Sequence, residues 1–305
     1  MKYVIMLMFG GSVMERPKII AIIFAGGTGQ RFENDLPKQF VTIVNKPIIL
    51  HTLEKFQNHS EIDEIYVGCI EEWIPFLARL VYDNHITKIP AGGIIPGGTS
   101  GQDTIYQILK KARENNSDDA IVLIHDGVRP IVTAQEISDN IKTVKEKGSA
   151  ITAIPFTETP VFSEFGEFAD STLDRKKMYR GVAPQSFRLG QILEAHEKIR
   201  ANDIAYVGTY DGFQIVDSAS LVKAAFDEKC AIVEGNPNNI KVTNTYDFFM
   251  LQSYLQAGDI ENYFMGRSSN RFIPNEAMAY AQMLATKKED EAAKVKKLGG
   301  NYDNK

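Results

Sequence analysis

The feature that most constrains the fold is an alternation, from about Lys18 onward, of short apolar runs with segments of helical periodicity. The runs are rich in Ile and Val and are bounded by Gly, Pro or Asp, which is typical of buried strands. The predicted strands are Ile19–Phe24, Ile65–Cys69, Ile121–Ile124, Ala150–Ile154 and Ala231–Glu234. The predicted amphipathic helices lie within 47–57, 71–83, 100–115, 134–148 and 189–201. This order predicts an α/β fold, in which helices cover both faces of a mostly parallel sheet.

Three segments depart from the alternation. Residues 156–181 alternate Phe with polar residues around Gly166, which predicts a projecting β-hairpin arm. Because an isolated hairpin is only marginally stable, the arm is expected to pack on another surface, with a second subunit as the candidate. Residues 1–17 are interpreted as a tag or N-terminal extension, and polar residues 259–305 as a solvated helix with a frayed, partly disordered end. The predicted main domain is therefore 18–258.

Composition excludes several classes of partner. A formal net charge of -5 over 305 residues argues against binding nucleic acid or an anionic membrane through the overall field. The apolar stretch "KYVIMLMF" is far too short to span a bilayer. Cys69 and Cys230 show no CxxC spacing and are interpreted as buried thiols, which fit a reducing cytoplasm. The sequence thus predicts a cytoplasmic protein that binds any anion through a local pocket.

A glycine-rich turn after the first predicted strand is the strongest candidate for such a pocket. In "FAGGTGQRFENDLPKQF", residues 24–40, the glycines Gly26, Gly27 and Gly29 are followed by Arg31 and Lys38. The third glycine of a dinucleotide fingerprint is missing and no GK[ST] follows, so neither a Rossmann cofactor site nor a Walker A loop is indicated. A concave array of backbone N–H groups with a guanidinium and an ammonium nearby predicts a triphosphate site. The alternative is a tight turn flanked by surface cations.

Several ordered motifs carry a resemblance to a known family. They are "FAGGTGQRF", "LPKQF", "KPIILHTLEKF", "GGTSGQDTI", "HDGVRP", "DRKKMYRGVAPQSF" and "NNIKVTNTYD". From about Ile19 to about Leu255 the chain resembles the cytidylyltransferases that make CDP-alcohols from ribitol 5-phosphate or 2-C-methyl-D-erythritol 4-phosphate. The resemblance implies a Rossmann-like three-layer αβα nucleotidyltransferase fold, the substrate CTP, Mg²⁺ and a homodimer.

The resemblance also implies a reaction and its residues. The phosphate of the alcohol attacks the α-phosphorus of CTP, and pyrophosphate leaves. Arg31 and Lys38 would hold the nucleotide phosphates, and Lys241 would approach the α-phosphate and the incoming substrate. The residues that would contact the nucleotide are Ala25, Gly26, Gly27, Gly29, Gly98 and Thr104, the last two at cytosine.

Asp126 and Arg129 form a second constellation in "HDGVRP". Because Asp126 follows a predicted strand, it is expected at the carboxyl edge of the sheet, where ligands of such sheets bind. It can bind Mg²⁺ directly or through water, or hydrogen-bond the ribose or the substrate. Arg129 would bind the polyol phosphate or orient Asp126; a turn with a salt bridge is the alternative. Ser100 is predicted to cap the helix at 102–113, which is compatible with a base pocket beside it.

The acceptor is less constrained than the reaction. Thr159 and Arg175 match family positions that reach the alcohol phosphate from the neighbouring subunit, although Arg175 can also be a surface charge at the hairpin end. The chain departs from the family with Ala183 for a usual threonine, Gly101 for a frequent arginine, and a less acidic stretch around Asp217.

The leading hypothesis is ribitol-5-phosphate cytidylyltransferase, which supplies CDP-ribitol for wall or capsule polymers. The methylerythritol-phosphate enzyme of isoprenoid synthesis is the alternative. A nucleotide-binding module without catalysis is the hypothesis from another class, and an oxidoreductase is disfavoured by the missing third glycine.

Overall fold

A computed structural model describes residues 16–27, 36–201, 209–210, 213–264, 280, 283–284 and 286–288. Within them the main sheet has seven strands. They are β1 Ile19–Ala25, β2 Glu64–Cys69, β3 Ile94–Pro96, β4 Ile121–Asp126, β5 Ser149–Pro155, β6 Tyr179–Arg188 and β7 Ala231–Glu234. Their order is β7-β5-β6-β4-β1-β2-β3. The pairs of this sheet are parallel except those of β6, which runs antiparallel to both of its neighbours.

Helices connect and cover the strands. They are α1 Ile48–Gln57, α2 Ile74–Asp83, α3 Gly101–Arg113, α4 Ala134–Lys147, α5 Leu189–Ala201, α6 Ser218–Phe226 and α7 Thr245–Phe264. The five predicted strands and five predicted helices are confirmed, whereas β3, β6, α6 and α7 were not predicted. In β6, Pro184 lies where the register shifts between Gly181 and Gln185. An irregularity of this kind accommodates a residue that has no N–H to donate.

The strands are apolar on both sides because helices cover both faces of the sheet. In β1, Ile19, Ala21 and Ile23 pack into one core cluster with residues of α1, α2 and α4. The alternate residues Ile20 and Ile22 pack into a second cluster with α3, α5 and α6. The predicted three-layer αβα architecture is confirmed.

The predicted arm projects between β5 and β6. Its strands Val161–Phe162 and Ser171–Thr172 pair antiparallel, and Gly166 has a φ of 77° near the tip, in the left-handed region that favours glycine. Phe165 and Phe168 are 83% and 77% exposed. The arm is therefore a hairpin that leaves aromatic rings in water.

A third, smaller cluster fixes the loops at the carboxyl edge of the sheet. Val128, after β4, packs with Val242 and with Leu251 of α7. Helix α7 crosses the predicted domain boundary at residue 258, and the predicted division of the chain stays a prediction. Of the two thiols, Cys69 is buried but Cys230 is only partly buried, so that prediction was wrong for Cys230. Among the described helices, none is both long and apolar enough to span a bilayer.

Candidate active site

Two adjoining cavities open at the carboxyl edge of the parallel strands, where β1 and β4 end and β6 begins. We call the first, of about 350 Å³, the glycine lobe; it is lined by Ala25, Gly26, Gly27, Lys38, Gly98 and Thr104, among others. We call the second, of about 300 Å³, the β6 lobe; it is lined by Arg129, Gly181, Ala183, Gln185, Asp217 and Ser218, among others. Both lobes share Phe24, Asp126 and Lys241. A ligand that fills both lobes would therefore pass over the Asp126 and Lys241 side chains.

The buried side chain of Gln39 ties the glycine turn to its neighbour. Its Nε2 donates to the carbonyl oxygens of Ala25, at 2.7 Å, and Gly27, at 3.3 Å. Gln39 belongs to a short 3₁₀ turn, Lys38–Phe40, in which Gln39 and Phe40 are both buried. The carboxamide thus holds the end of β1 and the segment that carries Lys38 together. Sequence reasoning did not single out Gln39, although it stands in the quoted "LPKQF".

The opposite wall of the glycine lobe is built by close backbone approaches. A Cβ on Gly26 would lie 3.0 Å from Thr104 Oγ1, and one on Gly97 would lie 3.1 Å from the Gly26 Cα. A Cβ on Gly98 would lie 2.8 Å from the main-chain carbon of Asp103. The Thr104 hydroxyl accepts from the Gly98 N–H at 2.9 Å and donates to a main-chain oxygen of the same loop at 2.9 Å. The close contacts leave too little room for a side chain at these glycines. The two hydrogen bonds of the Thr104 hydroxyl fix the conformation of this wall.

Helix α3 points its N-terminus at this cavity. Ser100 caps it by accepting from the Asp103 N–H at 3.1 Å, as the sequence predicted. The Asp103 carboxylate also accepts from the Thr99 N–H at 2.9 Å and pairs with Arg200. Gly101 lines both lobes, and a Cβ there would meet no atom within 4 Å. A helix N-terminus favours negative charge, so this wall suits a phosphate group.

Asp126 lies at the centre of the site between two cations. Lys241 Nζ is 2.5 Å from its Oδ1, and Arg129 Nε is 2.7 Å from its Oδ2. Arg129 Nη1 also donates to the main-chain oxygen of Asn239 at 2.9 Å. Burial by itself raises the pKa of Asp126, but the charges of Lys241 and Arg129 outweigh burial and lower that pKa to about 2. The carboxylate is therefore ionised at neutral pH and positions both cations.

His125 is a packed neighbour of this site. Its Nε2–H donates to the Arg129 carbonyl oxygen at 3.0 Å, and its ring meets Phe56 edge-on at 5.1 Å between centroids. Burial lowers the pKa of His125 to about 4, so the ring is neutral at pH 7. Among the described residues, no group of three or more His, Cys, Asp and Glu side chains can hold a metal.

A carboxamide and a carboxylate line the β6 lobe. Gln185 Nε2 donates to Asp217 Oδ2 at 2.9 Å, and Gln185 Oε1 accepts from the Ala219 N–H at 3.0 Å. Asp217 caps α6 through the Ser220 N–H, at 2.8 Å. This lobe therefore offers neutral and anionic acceptors next to the cations, a combination that suits hydroxyl groups beside a phosphate. The sequence had marked Asp217 as a departure, and it gave no reason to pair it with Gln185.

The structure brings most of the predicted site residues together. Lys38, Lys241 and Asp126 line the glycine lobe along with the predicted residues Ala25, Gly26, Gly27, Gly98 and Thr104. Arg129 lines the β6 lobe. Arg31 and Gly29 lie outside the described residues.

The two predicted arm residues lie elsewhere. Thr159 and Arg175 are exposed in the arm and line neither lobe of their own chain, and Arg175 Nη1 donates to the Thr157 carbonyl oxygen at 3.1 Å. Their assignment to a neighbouring subunit stays a prediction.

Known proteins are similar to this chain in sequence and in fold. The family model described as IspD, 2-C-methyl-D-erythritol 4-phosphate cytidylyltransferase, matches residues 19–257. The ribitol-5-phosphate cytidylyltransferase of Vibrio parahaemolyticus is 40% identical over 77% of this chain and 95% of its own, and that of Streptococcus agalactiae is 38% identical over 79% and 97%. The 2-C-methyl-D-erythritol 4-phosphate cytidylyltransferase of Clostridium botulinum is 32% identical over 77% and 96%.

Solved structures agree with these relatives. The enzyme of Francisella tularensis, 2-C-methyl-D-erythritol 4-phosphate cytidylyltransferase, superposes with a TM-score of 0.63 at 27% identity, covering 79% of this chain and 99% of its own. The 4-diphosphocytidyl-2C-methyl-D-erythritol synthase of Anaerococcus prevotii gives a TM-score of 0.65 at 25% identity, over 79% and 96%. The chain belongs to the IspD family of cytidylyltransferases.

Proposed function

We propose that the protein transfers CMP from CTP to D-ribitol 5-phosphate, giving CDP-ribitol and pyrophosphate in the cytoplasm. The observation that carries the proposal is that Lys38, Lys241 and the glycine turn line one lobe, which shares Lys241 and Asp126 with a second lobe. The glycine lobe would take CTP and the β6 lobe the polyol phosphate. The Vibrio parahaemolyticus and Streptococcus agalactiae relatives, named for ribitol 5-phosphate, match this chain at higher identity than the Clostridium botulinum relative named for the methylerythritol substrate.

The reaction needs charge compensation more than it needs a base. The second pKa of a phosphate monoester is about 6, so the attacking phosphate is already largely ionised at pH 7. The barrier comes from bringing this dianion to a polyanion and from the charge on the α-phosphoryl group. Lys241 Nζ lies 2.5 Å from Asp126 Oδ1, and both residues line the two lobes, so Lys241 would meet both phosphates. Lys38 would bind the phosphates of CTP, and Arg31 is assigned the same role.

Asp126 has two roles in this proposal. It orients Lys241 and Arg129, whose side chains it pairs at 2.5 Å and 2.7 Å. It would also share a Mg²⁺ ion with the phosphates of CTP, because magnesium is usually held by one or two carboxylates plus substrate oxygens. The donor set fits such a shared ion, since each lobe contains this carboxylate. When bound, Mg²⁺ would neutralise charge on the phosphate oxygens.

The acceptor would be recognised by two chains. Within one protomer, Asp217 would accept hydrogen bonds from polyol hydroxyls, and the Gln185 carboxamide would accept from them or donate to them. Thr159 and Arg175 would reach the polyol phosphate from the arm of a second protomer. The exposed rings of the arm support this homodimer, because burying Phe165 and Phe168 removes apolar area from water.

The methylerythritol-phosphate enzyme is the second candidate, because the family description and the compared structures carry that substrate in their names. Pyrophosphate release is measured with CTP, Mg²⁺ and either ribitol 5-phosphate, glycerol 3-phosphate or 2-C-methyl-D-erythritol 4-phosphate. The proposal expects the highest kcat/KM with ribitol 5-phosphate. A preference for the methylerythritol substrate selects the second candidate. CTP binding without release from any acceptor identifies a nucleotide-binding module without catalysis.

A further inference from the structure

A C-terminal segment lies against the start of α2, beyond the residues that match the family. Tyr280 and Leu284 pack on the first core cluster, and Lys288 Nζ is 2.9 Å from Glu72 Oε1. The Tyr280 hydroxyl donates to the Glu72 carbonyl oxygen at 2.9 Å. The spacing of Tyr280, Leu284 and Lys288 places them on one face of a helix. We call these three residues the C-terminal brace.

The brace extends an aromatic stack that reaches Phe40, whose neighbours Lys38 and Gln39 line the glycine lobe. The Tyr280 ring lies 5.1 Å from Trp73 and 5.1 Å from Phe76, between centroids. Trp73 in turn stacks on Phe40 at 4.7 Å with the planes 16° apart. Phe76 meets Phe40 edge-on at 5.4 Å. A single ring, either Trp73 or Phe76, thus separates Tyr280 from Phe40, which belongs to the turn that carries Lys38.

Phe40 transmits its position to the phosphate-binding groups. It is the last residue of the 3₁₀ turn Lys38–Phe40, and its side chain is fully buried. Gln39, the residue before it, holds the carbonyl oxygens of Ala25 and Gly27. Because buried rings are close-packed, a shift of Trp73 displaces Phe40, and with it Gln39 and Lys38.

We propose that Tyr280 is a positioning residue for the nucleotide: the C-terminal brace closes the aromatic stack and thereby holds the Lys38–Phe40 turn in the conformation that binds the triphosphate of CTP. The inference rests on the proposed function for the identity of the ligand. It assigns to the segment after residue 257 a contribution to nucleotide affinity, made through Trp73 and Phe40 without contact to CTP. A brace of this kind acts by preorganisation, because it lowers the cost of ordering the turn when ligand arrives.

Trp73 makes the proposal directly measurable, since it is the single tryptophan of the chain. The full-length protein is titrated with CTP while Trp73 emission is recorded, and calorimetry gives the Kd independently. Tyr280→Ala is expected to shift the wavelength of Trp73 emission, because a neighbouring ring is removed. It is also expected to raise the Kd and the KM for CTP about 3- to 10-fold, which is the size of an aromatic contact. The kcat is expected to stay within about twofold of the wild-type value. Tyr280→Phe keeps the ring and is expected to restore wild-type values. Tyr82→Ala, which removes a ring that is 81% exposed on α2, is the matched control.

The outcomes separate the two proposals. A wild-type chain that binds CTP, with a Tyr280→Ala variant of the same Kd and KM, overturns the brace and leaves the proposed function intact. A wild-type chain that binds no CTP overturns the proposed function, and the brace with it. If Tyr280→Ala fails to fold, Leu284→Ala is judged by the same Kd and KM for CTP, and unchanged values overturn the brace.

Discussion

The glycine lobe and the arm are built in opposite ways. In the lobe, Gly26 and Gly97 approach within van der Waals contact, and a carboxamide holds the end of β1 to the Lys38 turn. In the arm, two-residue strands pair around Gly166, and aromatic rings face solvent. One region is completed by its own chain. The other exposes aromatic rings that no described part of the same chain covers.

In the proposed reaction, the glycine lobe and the arm would therefore have different roles. A lobe that is packed before ligand binds keeps the cost of ordering low, so nucleotide affinity belongs to the single chain. In the proposed dimer, Thr159 and Arg175 on the exposed arm would contribute only when a second chain places a cavity next to them. We therefore expect variants of the lobe to act within a chain and variants of the arm to act across chains.

The largest effect is expected at Lys241, where the two lobes meet. Lys241→Met should lower kcat/KM by two to three decades, because losing one such cation removes roughly 3–4 kcal/mol of transition-state stabilisation. Initial rates of pyrophosphate release measure it. Lys142→Met, an exposed lysine of α4, is the control. A loss smaller than tenfold would mean that another cation meets the α-phosphate.

Arg175→Ala should come next, with kcat/KM for the acceptor lower by about 10- to 100-fold, the value of a charge-assisted phosphate contact. The Kd for CTP should not change, because Arg175 lies outside the glycine lobe. Lys177→Ala, in the same exposed turn, is the control.

Mixing subunits makes the contrast between the two regions quantitative. When Lys241→Met and Arg175→Ala chains are co-expressed in equal amounts, half of the dimers carry one intact site of two, so about a quarter of wild-type activity returns. Activity that equals the mean of the two variants would show that Arg175 acts within its own chain.

Gly98→Ala should destabilise the fold by about 1–3 kcal/mol, because the added Cβ would lie 2.8 Å from the Asp103 main chain. Gly101→Ala, where the same atom meets nothing within 4 Å, should leave the free energy of unfolding equal or higher. Urea unfolding of both variants measures the difference. Equal losses would mean that the loop is not packed as the structure has it.

Acidification between pH 6.5 and 4 should act on the buried histidines of β4 and α5 and not on the arm, which contains no histidine. Burial lowers the pKa of His125 to about 4 and that of His196 to about 3, both below the ordinary value of 6.5. The unfolded chain therefore binds these protons first as the pH falls below 6.5. Stability should fall between pH 6.5 and about 4, by up to ~1.4 kcal/mol per pH unit for each histidine.

Urea unfolding at pH 7, 6 and 5 measures this slope. His196→Phe keeps a ring against Tyr106 and should remove about half of the slope assigned to the two histidines. His85→Asn, at an exposed position with a φ of 54°, should leave the slope unchanged. A stability that is flat over this range would contradict the burial of both imidazoles.

The sequence predicted what depends on periodicity and on local chemistry. Apolar runs such as Ile19–Phe24 and the cap at Ser100 are local, and a glycine turn followed by Lys38 is a short-range signal. Strand β6 escaped prediction because Pro184 and mixed polar residues read as a loop, and only the neighbours β4 and β5 make it a strand. Helix α7 is stabilised by the third cluster, whose members are far apart in the chain.

In the site, the missed contacts are those between segments distant in sequence. Gln185 and Asp217 are far apart in the sequence, and no sequence pattern predicts that their side chains pair. The same holds for Tyr280, whose partner Trp73 lies far away in the chain, immediately before α2. The clustering of Lys38 and Lys241 was predicted through the family resemblance, and the fold explains it, since both segments end at one edge of the sheet.

The reversed direction of β6 has a consequence for how such a protein can diversify. Because β6 enters the sheet at the edge where ligands bind, whatever chain is inserted between β5 and β6 emerges beside the reaction centre. Lengthening or rewriting that insertion leaves the hydrogen bonds of the seven strands untouched. One nucleotide-activating scaffold can thereby exchange its alcohol partner by altering a hairpin, while selection for core packing continues to act elsewhere.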